Sequence, residues 1–312
     1  MSRTRVYIDG QSGTTGLQIF DRISMRGDLE LMRIDEDKRH DVSERRKFLN
    51  AADVVFLCLP DEGAREAVSL VENPAVRIID ASTAHRTADG WTYGFPELSA
   101  DQRAKIAAST RIANPGCHAT GFISTVAPLV QAGILPADYP VTCYSLTGFS
   151  GGGKRMIADY ESEGRPACLD APGLYALSLR HKHLPEMQRQ CGLAHAPVFM
   201  PVVDDYYKGM ATSVMLHNRM LCGVSSAEDV HACLLSHYAG QRFVRVMPFD
   251  SAQKTLYANE LAGTNELRIV VCGNEEHTTV TALFDNLGKG ASGAAVQNMN
   301  IALGIDEATG LL

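Results

Sequence analysis

Between Val6 and Ile23 a strand, a glycine loop and a helix follow one another without a break. Val6-Tyr7-Ile8-Asp9 reads as a short strand, Gly10-Gln11-Ser12-Gly13-Thr14-Thr15-Gly16 as the loop, and Leu17-Gln18-Ile19-Phe20-Asp21-Arg22-Ile23 carries apolar residues at helical spacing. In that order a G-x-x-G-x-x-G loop has physical meaning, because backbone N–H groups and the start of a helix converge where a pyrophosphate would sit. Taken alone it is weak, since glycines also serve ordinary tight turns. The elements that follow strengthen it. Leu29–Ile34 reads as a second strand ending near Asp35, Ala52–Pro60 as a buried parallel strand running into a loop, Glu62–Val71 as a helix and Val76–Asp80 as another strand. This alternation predicts an α/β fold: a Rossmann-type, doubly wound parallel sheet with ligand at the carboxyl ends of its strands. Asp35, Glu36 and Asp37 suit an adenosine ribose, Lys38 and Arg39 suit a 2′-phosphate, and a solvated charged loop is the third reading.

A chain of 312 residues holds one large domain or two ordinary ones, and 45% hydrophobic with 21% charged residues is a globular balance. A net charge of -7 supplies no basic stripe to neutralise phosphates, which argues against a nucleic-acid partner. The eight cysteines contain no CxxC pair and no metal-ligand spacing, so no metal site is expected. Most lie in apolar segments such as Val55–Leu59 and Ile269–Cys272 and read as reduced core residues. The first residues run straight into a strand, and no apolar stretch is long enough to span a bilayer. The expectation is a cytoplasmic protein without a membrane partner.

Asn114-Pro115-Gly116-Cys117-His118-Ala119-Thr120 precedes the apolar run Gly121–Val126. Pro115 and Gly116 make a turn, and the residues after Cys117 read as the opening of a buried helix. The sulfur then sits at the positive end of a helix dipole, which favours the nucleophilic thiolate. Leu179-Arg180-His181-Lys182-His183-Leu184-Pro185-Glu186 concentrates two imidazoles and a carboxylate where a helix starts near Pro185. Histidine works as acid and base near neutral pH, and a carboxylate orients it. The bland alternative is a polar helix entry. Ser145–Arg155 is a second glycine-rich segment without P-loop spacing; its backbone could approach a substrate while Lys154 or Arg155 pairs with an anion, or it is a mobile surface loop.

Strands at Val141–Tyr144, Ala196–Met200, Thr212–Leu216, Glu266–Val271 and His277–Leu283 suggest a mixed or antiparallel sheet with one helical face, separate from the first domain. Asp285–Gly293 reads as a loop and Ala294–Leu303 as a helix, and the chain has no internal repeat.

Together these motifs resemble the N-acetyl-gamma-glutamyl-phosphate reductase family, in its shorter form, within the semialdehyde dehydrogenases. The resemblance spans essentially the whole chain. It rests on Gly10-x-x-Gly13-x-x-Gly16, Leu57-Cys58-Leu59-Pro60-Asp61, Asp80-Ala81-Ser82-Thr83-Ala84-His85-Arg86, Tyr93-Gly94-Phe95-Pro96-Glu97, Asn114-Pro115-Gly116-Cys117, Ser150-Gly151-Gly152-Gly153-Lys154, His181–Glu186 and the run from Asp285 to Asn298. The chain departs from the family wording at Thr83–Arg86, and at Lys154, where arginine is common. The resemblance implies an NADP(H)-binding Rossmann domain of residues 1–117 and an α+β catalytic and dimerisation domain of residues 118–284. Residues 285–312 would be a loop and helix returning to the first domain. It further implies cofactor contacts from Gly10, Ser12, Gly13, Thr14, Thr15, Gly16, Lys38, Arg39, Cys58, Leu59, Pro60, Ser82, Gly151, Gly152, Asn286 and Lys289, with Asn286 near the nicotinamide. Arg86, Asn114, Ser150, Lys154 and Arg180 are the implied substrate contacts, and the assembly is a homodimer or homotetramer.

The reaction implied is reduction of N-acetyl-L-glutamyl 5-phosphate to the semialdehyde and phosphate, in arginine biosynthesis, through a Cys117 thioester. His181, with His183 close behind, would exchange the proton, Glu186 would orient one of them, and N–H groups at the helix start would hold the oxyanion. Aspartate-semialdehyde dehydrogenase, or a relative acting on an amino-adipyl carrier substrate, would use the same groups. A non-catalytic dinucleotide-sensing regulator is the alternative from another class. A cysteine hydrolase leaves the glycine loop unexplained.

Overall fold

The computed structural model describes residues 3–223, 226–250 and 253–311. The chain forms two compact units, residues 1–115 with 291–312, and residues 116–290.

In the first unit β1 (Thr4–Asp9), α1 (Thr14–Ser24), β2 (Leu29–Met32), α2 (Val42–Ala51), β3 (Val54–Leu57), α3 (Asp61–Ser69), β4 (Arg77–Asp80), β5 (Thr92–Tyr93), α4 (Gln102–Ala108) and β6 (Arg111–Ala113) follow in order. The strands lie β2-β1-β3-β4-β6-β5, every pairing parallel. Crossovers run one way from β1 to β2 and the other way from β3 onward, so the order reverses between β1 and β3. A doubly wound sheet binds ligands at such a reversal. Tyr7, Val55, Leu57 and Ile78 pack with Leu49 of α2 and Ala64 of α3 as core. The helix α2 was not foreseen; its sequence signal is Asp41, whose carboxylate accepts from the N–H groups of Ser43 and Glu44 and so caps the helix.

The second unit begins with α5 (Cys117–Gln131) and β7 (Thr142–Gly148), then α6 (Gly153–Glu161), β8 (Gly173–Leu174), α7 (Leu184–Cys191), β9 (Val198–Asp204), β10 (Met210–His217), α8 (Ala227–His237), β11 (Val244–Val246), β12 (Leu267–Gly273) and β13 (His277–Phe284). Its mixed sheet has the order β11-β12-β13-β10-β7-β9-β8. The parallel pairs are β11 with β12 and β7 with β9, and the rest are antiparallel. Buried and open residues alternate along β10, as a sheet covered on one face requires. The covering helix is α5, apolar nearly all round and packed against β10, β13, α7 and α8. Gly121 lets it approach: a Cβ there would collide with Thr212 and Phe284.

The glycine-rich segment 145–155 is not a free loop. The strand β7 stays paired with β9 through Gly148, the Phe149 N–H donates to the Tyr206 carbonyl, and α6 begins at Gly153. The strand pairing satisfies backbone groups that the glycines alone left open.

Finally α9 (Gly293–Ala302) belongs to the first unit, packed beside α1 and α4. Its Asn298 amide donates to the Gly94 carbonyl at 2.8 Å and to Asn114 Oδ1 at 3.0 Å. No described helix is long and apolar enough to cross a membrane.

Candidate active site

Among the described residues Cys117 is the one cysteine that opens an α-helix. Gly116 is the cap, with extended backbone and no side chain, so no cap side chain covers the start of α5. The Gly116 N–H itself donates to Glu186 Oε2 at 3.2 Å, which ties the turn before Cys117 to the start of α7. Cys117 is half-buried, whereas Cys143 and Cys191 are buried and their thiols are pushed far above the usual range. Gly290 lies against it: a Cβ at that position would stand 3.1 Å from the Cys117 Cβ.

His183 is the residue before α7, and Pro185 fills its first turn. The His181 and His183 rings meet edge to face, 4.7 Å between centroids. The His183 N–H donates to His181 Nδ1 at 3.2 Å. Nδ1 is therefore the acceptor, and a neutral His181 carries its proton on Nε2. Two non-glycine residues in this approach, Ala176 (φ 52°) and Leu179 (φ 55°), sit in the left-handed region. Such backbone persists where surrounding structure over-determines it.

One partner was missed from the sequence. His118 follows Cys117 and is buried, with Nδ1 2.7 Å from Ser145 Oγ and Nε2 2.7 Å from the Tyr175 hydroxyl. Its ring lies 5.6 Å from that of His181 and 5.8 Å from that of His183. The available signal was a histidine inside an otherwise apolar helix, with Ser145 and Thr212 on apolar strands.

In the first unit Gly10 follows β1 with φ 89°, and a Cβ there would strike the Cys58 carbonyl after β3. Only glycine closes the two strand ends this tightly. Gly13 caps α1, and the first-turn residues Thr14, Thr15 and Gly16 follow. Thr14 Oγ1 is buried with no hydrogen-bond partner among the described residues. An orphaned hydroxyl at an open helix N-terminus fits a bound phosphate oxygen. A cleft of about 560 Å³ runs past Gly10, Ser12, Leu59, Glu36, Arg39 and Arg45. Arg39 also pairs with Glu36 at 3.0 Å, while Lys38 pairs with Asp35 at 3.1 Å. Arg45, on the unforeseen α2, is buried between Asp9 at 3.0 Å and Glu66 at 2.6 Å. Pro60 precedes α3, and the Ser82 hydroxyl donates to Asp80 at 2.7 Å.

Residues 117–286 match the semialdehyde dehydrogenase dimerisation domain, and residues 24–106 match the semialdehyde dehydrogenase NAD binding domain. N-acetyl-gamma-glutamyl-phosphate reductase 2 of Pseudomonas putida is 50% identical over 311 residues, covering 98% of each chain. The protein of the same name from a Nostoc species is 47% identical, covering 100% of both. The chain belongs to the N-acetyl-gamma-glutamyl-phosphate reductase family. The crystal structure of aspartate semialdehyde dehydrogenase II from Vibrio cholerae shares the fold, with a TM-score of 0.70 over 97% of this chain and 99% of that one at 17% identity.

The remaining residues that the reductase family implies are distributed as follows. Asn286 accepts from the Gly209 N–H at 2.8 Å and donates to Ser150 Oγ at 3.0 Å, bracing two turns beside Gly151. Gly152 packs on Met156. Lys289 is fully buried, its ammonium 5.8 Å from the centre of the Phe243 ring. Lys154 lies exposed on the first turn of α6, and Arg180 is exposed beside His181. The Arg86 guanidinium donates to the carbonyls of Asn114 (3.0 Å) and Ala81 (2.9 Å), and the Asn114 amide donates to the Ala291 carbonyl at 3.0 Å. Arg86 and Asn114 thus brace strand ends in the first unit, and in the second Lys154 and Arg180 present their charges to solvent.

Proposed function

We propose that this protein reduces N-acetyl-L-glutamyl 5-phosphate to N-acetyl-L-glutamate 5-semialdehyde and phosphate, with Cys117 as nucleophile and NADPH as reductant. The observation that carries it is a half-buried cysteine at the start of α5 whose flanking residues meet the two-histidine segment: the Gly116 N–H donates to Glu186, and the His118 ring lies 5.6 Å from that of His181 and 5.8 Å from that of His183. The sulfur attacks the acyl carbon, the bond to phosphate breaks, and a thioester forms on Cys117. NADPH, held at the Gly10–Gly16 loop, would supply the hydride that takes this carbon to the aldehyde level. N–H groups of the first turn of α5 hold the negative oxygen that develops. An imidazole of the pair, His181 with His183 close behind, takes the Cys117 proton as the sulfur attacks; as imidazolium it returns that proton to the sulfur when the carbon–sulfur bond breaks, and the reverse reaction uses the same group. Glu186 holds the Gly116 turn in place.

The orphaned Thr14 hydroxyl and the α1 N-terminus support a pyrophosphate in the first unit. Arg39 and Arg45 on the same cleft favour NADP over NAD, because a 2′-phosphate needs nearby cations. The open face of the second sheet carries Tyr144, Val198 and Met215, each at least 41% exposed, and supports association of two copies there.

The test follows NADPH formation from the semialdehyde, phosphate and NADP. Turnover by the wild type that disappears in Cys117→Ala supports the reading. Turnover that survives the substitution overturns the thioester, and an inactive, well-folded wild type overturns the substrate.

A further inference from the structure

Directly behind the nucleophile lies a line of buried polar side chains that the reaction as written does not use. The His118 ring bridges two hydroxyls, with Nε2 against that of Tyr175 at 2.7 Å and Nδ1 against Ser145 Oγ at 2.7 Å. Ser145 Oγ continues to Thr212 Oγ1 at 2.8 Å. The line runs from Tyr175, next after β8, through His118 on α5 and Ser145 on β7 to Thr212 on β10. We propose that His118 is a positioning residue: held as a neutral imidazole between Ser145 and Tyr175, it fixes the segment carrying Tyr175, His181 and His183 beside Cys117. This rests on the reading of Cys117 as nucleophile.

A neutral imidazole has one donor and one acceptor, so the line is satisfied in one direction throughout. Tyr175 donates to Nε2, Nδ1–H donates to Ser145 and Ser145 donates to Thr212, or every bond is reversed. A protonated ring would have two donors and no acceptor. Burial, followed by the fields of His181 and Lys182, pushes the His118 imidazolium down to about 3, so the ring stays neutral across the working range. The titratable groups facing it are Tyr175, His181, Lys182 and His183, and Cys117 on its own helix acts on Tyr175. A cation at His118 would oppose a second one on His181 or His183; neutrality leaves that pair free to hold the proton that cycles. The left-handed Ala176 and Leu179 make the tether necessary, because backbone strain relaxes when its restraints are removed.

Two substitutions separate positioning from packing. A glutamine amide reaches the place of Nε2 and keeps the bond to Tyr175. An asparagine amide reaches the place of Nδ1 and keeps only Ser145. The experiment measures kcat and KM for semialdehyde oxidation, melting temperature, and the pH profile of Cys117 alkylation by iodoacetamide in H118Q, H118N and H118F. The expected result is a kcat lowered about 100-fold with KM little changed in H118F and H118N, and recovery to within about tenfold of wild type in H118Q. The alkylation profile shifts to higher pH in H118F and returns in H118Q. Equal losses in all three that follow melting temperature, with an unshifted alkylation profile, overturn the proposal. Wild-type kcat in H118F overturns it as well. Failure of the nucleophile reading is read separately, from turnover persisting in Cys117→Ala.

Discussion

At the residue scale, two neighbours in sequence have different environments. Cys117 is half-buried at the first turn of α5, while His118 points into the interior and is 2% exposed. Burial lowers the His118 pKa from 6.5 to about 3, which has a consequence for acid stability. Between those values the unfolded chain binds a proton that the folded chain excludes, so protonation favours unfolding. This histidine costs nothing above pH 6.5, and below it stability falls by about 1.4 kcal/mol per pH unit until the folded value is reached. Replacing His118 by Gln removes that proton, so unfolding free energy from urea titrations between pH 4 and 6 should decline less steeply than in wild type. Parallel slopes would contradict the burial argument. The residue was visible in the sequence, but its role was not. A histidine after a candidate nucleophile reads equally as solvent-facing or buried until the strands bearing Ser145 and Thr212 are placed behind it.

At the scale of elements, the strand, loop and helix at the N-terminus carry their meaning in local spacing. Gly10 and Gly16 are required by packing, since a Cβ at either would press on backbone. Thr14 is different: its hydroxyl is buried without a partner, a state that costs about 1–3 kcal/mol when nothing is bound. Thr14→Val is therefore expected to raise the melting temperature of the ligand-free protein while weakening NADP several-fold by titration calorimetry. A variant that loses both stability and affinity would show that the hydroxyl serves the fold. The helix α2 was passed over because charged residues dominate it, although Asp41 with Glu44 three residues on is a legible start signal. With α2 went Arg45, whose place on the cleft depends on Asp9 and Glu66 from two other elements.

At the scale of the whole molecule, the first unit is discontinuous: the chain leaves it after Pro115 and returns at Ala291. The helix α9 is held in that unit by buried amides, Asn298 reaching Gly94 and Asn114, and Gln297 reaching Glu97 at 3.0 Å. Removing the Asn298 amide leaves the Gly94 carbonyl and the Asn114 side chain short of a partner, at a cost of about 2 kcal/mol. Asn298→Ala should lower the urea midpoint of the unit containing residues 1–115, followed by amide exchange in β5 and β6. Unchanged exchange there would mean that apolar packing of α9 suffices.

The sequence by itself determined the parallel sheet of the first unit, the glycine turn at its ligand end, the helix that begins at Cys117 and the segment with two histidines. Each of these is written in residues close together, through side-chain period, turn chemistry and helix-end preference. Tertiary structure alone decided the burial of Lys289, the carbonyls that Arg86 and Asn114 hold, and the polar line behind Cys117. Those outcomes depend on which distant side chain satisfies a buried polar group. Local spacing does not encode that choice, because the cost of an unpaired group is set by partners that only folding brings within reach.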